Sequence, residues 1–156
     1  MKIFFLNVQT ASEKWSDLAS GVYIEKIKHF HKIEIKNLKS NKNSRDNSKL
    51  KKAQDSDLIL KELNQDDFVI LFDEKGRALS SMDFSKQIQQ VLNSGKKRMV
   101  FIIGGAFGVS AEVLDRAQAV VNLSPATLNH VVAQVVALEQ IYRAFTILNK
   151  IPYHNE

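Results

Sequence analysis

The sequence predicts a single α/β domain, a mostly parallel sheet with helices on both faces. Three observations carry this. Segments of strand character alternate with segments of helical spacing along all 156 residues. Two of the strand segments, Phe68-Val69-Ile70-Leu71-Phe72 and Met99-Val100-Phe101-Ile102-Ile103, are unbroken apolar runs, the mark of strands covered on both faces. Length and composition fit one packed core, since 44% apolar and 25% charged residues are ordinary globular values.

Residues 3–8 are apolar and rich in β-formers, and read as a buried strand. Residues 12–31 carry Trp15, Leu18, Ala19, Val22, Tyr23, Ile27 and Phe30 at helical steps, with Ser12 or Ser16 as cap. Residues 31–38 alternate with period two, a strand with one wet face. Residues 39–57 change character: Lys39, Lys42, Arg45, Lys49, Lys51 and Lys52 stand among Ser, Asn and Gln. This stretch reads as a mobile basic loop running into a helix over about 48–64. Its cations are either simply solvated or a flexible arm against RNA backbone.

The run 67–73 is a strand, 74–77 turn the chain, and a helix over 82–93 ends at Ser94-Gly95. Strand 99–103 runs into Gly104-Gly105-Ala106-Phe107-Gly108. A short helix occupies 110–118 and a last strand 119–123. The Ser124-Pro125 turn then releases a C-terminal helix. That helix is apolar round a wide arc, through Leu128, Val131, Val135, Leu138, Ile141, Phe145 and Leu148. A one-sided surface helix needs less. The arc is expected to be shared between the sheet and a second copy of the chain, making a homodimer.

Composition excludes several chemistries. There is no cysteine, so disulfides and thiol or cysteine–zinc chemistry are out. His130 and His154 have no second ligand at metal spacing, so no metal site is expected. The glycine loop has neither G-x-G-x-x-G spacing nor the Lys-Ser/Thr of a P-loop. Ser124 lacks a G-x-S-x-G setting. Asn7, Gln9 and Glu13 interrupt the first apolar run too early for a signal segment, and no run approaches bilayer length. The expected compartment is the cytoplasm, with no membrane partner. A net charge of +5 and a pI near 9.4 are compatible with a polyanionic partner.

Ligands of parallel sheets sit beyond the carboxyl ends of the strands. Three loops leave those ends in the second half, at 73–76, 104–108 and 123–128. Adjacent glycines at a strand's end allow a ligand close to backbone; they equally serve a tight turn. Glu139 and Arg143 stand four apart, the spacing of an intrahelical ion pair.

Five blocks in order carry a resemblance over the whole chain. They are Phe72-Asp73-x-x-Gly76, Ile103-Gly104-Gly105-Ala106-x-Gly108, Leu123-Ser124-x-x-Thr127-Leu128-x-His130, Glu139-Gln140-x-Tyr142-Arg143-Ala144 and Pro152-Tyr153-His154. On these the chain resembles the RlmH group of SPOUT methyltransferases. The resemblance implies an α/β trefoil knot in the C-terminal half and S-adenosylmethionine as methyl donor. It implies transfer to N3 of a pseudouridine in 23S ribosomal RNA, on the large ribosomal subunit. Carried over, the cofactor residues are Phe72, Gly104, Gly105 and the run Leu123, Ser124, Pro125, Ala126, Thr127 and Leu128. The acceptor side falls on His130, Arg143, Tyr153 and His154, some from a partner subunit. Phe72 stands where Leu is usual, Asn129 where Pro is usual, and Gln134 where Arg is usual. Two other readings remain: a non-catalytic RNA-binding module that kept the fold, and a methyltransferase for another RNA.

Overall fold

A computed structural model describes residues 1–41 and 47–154. The order is β1(Lys2–Gln9), α1(Lys14–Lys28), β2(Ile33–Lys39), α2(Ser48–Glu62), β3(Phe68–Ala78), α3(Ser81–Asn93), β4(Arg98–Ile103), α4(Ala111–Arg116), β5(Ala119–Asn122) and α5(His130–Leu148). The strands form one sheet in the order β2-β1-β4-β3-β5, every pairing parallel. The predicted alternation and parallel sheet are what the chain adopts.

The period-two rule sorts each strand's side chains onto two faces. Ile3, Phe5, Ile70, Phe72, Met99, Phe101 and Ile103 pack with α1, α3 and α5. Leu6, Val8, Val69, Leu71, Val100 and Ile102 point the other way, onto Ile59 of α2 and Val113 of α4. The central runs are therefore continuous because both faces are covered. Full burial of each such side chain contributes roughly 1.5–3 kcal/mol.

Two boundaries differ from expectation. The turn expected at 74–77 is an excursion inside β3. Phe72 and Arg77 both pair with Val121, so the residues between them leave the ladder and return. A side chain on Gly76 would sit 2.6 Å from the Val121 carbonyl carbon, so only glycine lets the strand close again. The Ser124-Pro125 turn does not open α5 directly. A loop intervenes, and Asn129 caps the helix by accepting from the Val131 N–H at 3.0 Å. Within the basic stretch Lys39 ends β2, and Lys49, Lys51 and Lys52 lie on α2, the helix expected from near Ser48. Lys51 is buried, its ammonium donating to Ser40 Oγ and to the Asn41 carbonyl, so it is no backbone-facing cation. Lys42 and Arg45 lie outside the described residues.

By length and composition α5 could cross a membrane, contrary to the expectation that no run would. Its apolar residues serve the core instead: Ala137, Leu138, Ile141, Ala144 and Phe145 are buried against the sheet and its flanking helices.

Candidate active site

Because β4, β3 and β5 are neighbours, the loops leaving their carboxyl ends meet. Between them lies a cavity of about 450 Å³, a volume that suits a nucleoside-sized ligand. Phe72, Gly104, Gly105, Leu123, Ser124, Ala126, Thr127 and Leu128 all line it, together with His130 and Ala133 at the start of α5. Pro125 belongs to the same loop but does not face the cavity.

Local chemistry shapes each wall. Gly105 and Gly108 close a turn by a 3.0 Å backbone bond, and Gly108 has a φ of 77° that favours glycine. A side chain on Gly104 would meet Val109 at 2.5 Å, and one on Gly105 would meet Asp55 at 2.1 Å. The third loop is bent by its own side chains. Asn122 Oδ1 accepts from the Ser124 N–H at 2.9 Å, and Ser124 Oγ accepts from the Ala126 N–H at 3.0 Å. Such short side-chain turns replace ladder bonds. The lining joins glycine backbone and apolar side chains to polar ones, Asp73, Glu74, Asn122 and Thr127 among them, and Phe72 stacks on Phe101 behind it. These features fit an adenosyl group, with peptide groups to hold its polar edges and an apolar floor for its base.

His130 belongs to a buried polar network. Its Nε2 lies 2.8 Å from Asn7 Oδ1. The Asn7 amide is oriented by donating to Gln134 Oε1 at 2.7 Å and Gln9 Oε1 at 3.0 Å, and Gln134 in turn donates to Ser20 Oγ at 3.2 Å. A carbonyl oxygen only accepts, so Nε2 carries the proton and Nδ1 keeps its lone pair. Burial pushes the His130 pKa below the usual 6.5, with the Asp55 charge pulling the other way. Gln134 is 3% exposed. It is an internal hydrogen-bond link, so this position offers no phosphate contact in the folded chain.

The other predicted acceptor residues cluster at the far end of α5. Glu139 Oε1 accepts from Arg143 Nη2 at 2.6 Å, from Arg143 Nε at 3.0 Å and from Tyr153 OH at 3.1 Å. Arg143 Nη1 lies 3.3 Å from His154 Nδ1. The Tyr153 ring packs under the guanidinium and against Tyr142. Burial and the Glu139 charge push the Tyr153 phenol far above its usual pKa, so it stays protonated as a donor. Thirteen residues of helix, roughly 20 Å, separate Arg143 from His130. One chain therefore brings Arg143, Tyr153 and His154 together but does not bring them to the cavity.

Asn7 and Asp55 were not legible as site residues. Asn7 is one polar side chain within an apolar strand segment, which is the signal that could have exposed it. Asp55 sits among lysines, where a carboxylate reads as solvated. Among the described residues no cluster of His, Cys, Asp or Glu could hold a metal ion.

The family model described as Predicted SPOUT methyltransferase matches residues 1–154. The chain is 52% identical over 155 residues to Ribosomal RNA large subunit methyltransferase H of Bdellovibrio bacteriovorus, covering 99% of each chain. It is 42% identical over 158 residues to the protein of the same name from Christiangramia forsetii, again covering 99% of each. Among solved structures, a probable methylase family protein from Haemophilus influenzae superposes with a TM-score of 0.51 at 16% identity. That match covers 96% of this chain and 66% of the other, and speaks to the fold alone. With the family model spanning nearly its whole length and full-length relatives above 40% identity, the chain belongs to the SPOUT methyltransferases.

Proposed function

We propose that this protein is a cytoplasmic, homodimeric, S-adenosylmethionine-dependent methyltransferase that modifies N3 of a pseudouridine in large-subunit ribosomal RNA, on the assembled ribosome. The observation that carries the reading is the cavity at the strand ends, lined by the glycine loop and the 123–128 loop and bordered by His130. The names of the full-length relatives supply the substrate class. The strand order β4-β3-β5, with α5 packed back over the sheet, supports the family's trefoil knot.

The bound donor supplies a methyl already activated as a sulfonium, whose S–C electron pair stays on sulfur as a neutral thioether. The chain's own task is to align, desolvate and deprotonate. Phe72, Leu123, Ser124, Ala126, Thr127 and Leu128, which line the cavity, would hold the adenosyl group. The imide N3 must lose its proton as its new bond to carbon forms. His130 Nδ1, kept basic by the Nε2–H···Oδ1 bond to Asn7, takes that proton. Arg143, with Tyr153 and His154, grips RNA phosphate or a developing negative charge.

That cluster serves the partner's cavity in the dimer. Two features support a second copy. The tail cluster lies far from its own cavity, and α1 exposes Trp15, Leu18 and Val22 on one face at 47%, 75% and 53%. Isolated apolar residues are normal on a surface, but an aligned stripe marks an interface. The non-catalytic reading draws on Asn129 and Gln134; both have structural roles here, as helix cap and as buried link.

Calorimetry with S-adenosylmethionine and methyl transfer to ribosomes lacking the modification test the proposal together. Binding with transfer to intact ribosomes is expected. Binding without transfer to any RNA would leave the non-catalytic module; transfer to tRNA instead would point to another substrate.

A further inference from the structure

We infer that the buried Asp55 carboxylate is the counter-charge of the cavity, making it prefer a sulfonium over the neutral thioether left after transfer. The inference rests on the methyl-donor reading above. Asp55 stands on α2 and is 1% exposed. Both its carboxylate oxygens are buried, and among the described residues neither has a hydrogen-bond partner. Lys51, one turn earlier, is engaged by Ser40 and the Asn41 carbonyl. A buried, unpaired carboxylate is costly, and folded chains keep one where something compensates it.

Its position says what that is. Oδ2 lies directly against Gly105, so that any side chain there would stand 2.1 Å from it. Gly105 is itself a wall of the cavity. With no side chain on Gly105, the carboxylate comes against the backbone of a residue that lines the ligand space. The charge is felt within that space, since it acts on the His130 ring on the rim. Asp73 and Glu74 also border the cavity, but they are more open to solvent, where water screens them.

S-adenosylmethionine and S-adenosylhomocysteine share the adenosine, the amine and the carboxylate. They differ by one methyl group and one positive charge on sulfur. The ratio of their affinities therefore isolates the sulfonium. A carboxylate facing the donor tightens its binding and weakens retention of the product, clearing the cavity for the next turnover.

The test titrates wild type, Asp55→Asn and, as a control, Asp57→Asn, an exposed carboxylate of the same helix outside the cavity lining, with both ligands by calorimetry. Wild type is expected to bind the sulfonium more tightly than the thioether. Asp55→Asn is expected to lose about tenfold, or about 1.4 kcal/mol, in sulfonium affinity while thioether affinity changes by less than about threefold. Asp57→Asn should leave the ratio unchanged. Unliganded Asp55→Asn should melt no lower than wild type, because it removes an uncompensated buried charge. An Asp55→Asn protein that loses both ligands in step, or fails to fold, overturns the charge role and makes Asp55 structural. So does a wild type that prefers the thioether, a measurement independent of any variant. A wild type that takes up neither ligand overturns the methyl-donor reading itself.

Discussion

Asn7 and His130 stand 123 positions apart in the chain, yet their side chains meet at 2.8 Å. The contact joins the end of β1 to the first turn of α5 and sets which imidazole nitrogen carries the proton. Replacing Asn7 with Asp puts a carboxylate at that contact. An opposite charge so close raises a histidine pKa by about one to three units. The acid limb of methyl transfer, followed as initial rate against pH, should move upward in Asn7→Asp. A limb that stays in place would remove His130 as the proton acceptor.

Burial lowers the pKa of both His130 and His31 from 6.5. As pH falls, the unfolded chain takes up these protons before the folded one does. Stability is therefore complete above about pH 6.5 and is lost as pH drops toward the lowered folded values. Thermal melts across this window should show the decline. His31 packs on Phe145 at 5.1 Å, so His31→Phe keeps a ring in place and should flatten the slope.

Gly76 approaches the backbone of β5 so closely that a methyl group would lie 2.6 Å from the Val121 carbonyl carbon. Backbone cannot swing aside as a side chain can. Gly76→Ala should cost about 1–3 kcal/mol by chemical denaturation. It should weaken S-adenosylmethionine binding as well, because β5 leads directly into the cavity loop. Unchanged binding would show that the excursion in β3 does not set the cavity's shape.

Arg143 donates two bonds to one carboxylate oxygen of Glu139 and lies outside the cavity lining. Arg143→Ala should lower methyl transfer about ten- to a hundredfold, the worth of a lost hydrogen bond to a charged group. Donor affinity by calorimetry should change little. Mixing Arg143→Ala with His130→Ala subunits should recover part of the activity if each cavity uses its partner's tail. Absence of recovery would place the tail's action within its own subunit.

Much of the architecture follows from patterns read a few residues at a time. Phe68 to Phe72 and Met99 to Ile103 are strands because each has a run of apolar side chains that only two covered faces can bury. Ser94-Gly95 after α3 and Ser80 before it are local stop and start signals, and Ser80 Oγ accepts from the Asp83 N–H at 3.1 Å. The cavity loops were legible too, through the glycine pair and the Leu123 to Leu128 run. The excursion at 73–76 was not. Its residues carry ordinary turn chemistry, with Asp73 Oδ1 accepting from the Lys75 N–H at 2.9 Å, and the return to pairing at Arg77 depends on β5, more than forty positions later.

Side-chain pattern along the chain was enough for the type of each element, its approximate ends, the parallel sheet and the loops that border the cavity. All of these come from interactions between near neighbours. Folding in three dimensions settled the rest: that Asn7 and Gln134 are one buried network, that Lys51 is interior, and that Asp55 stands behind Gly105. It also parted His130 from the Arg143 cluster along the length of α5. Those outcomes depend on register and packing between segments far apart in the chain, and no local pattern carries that information.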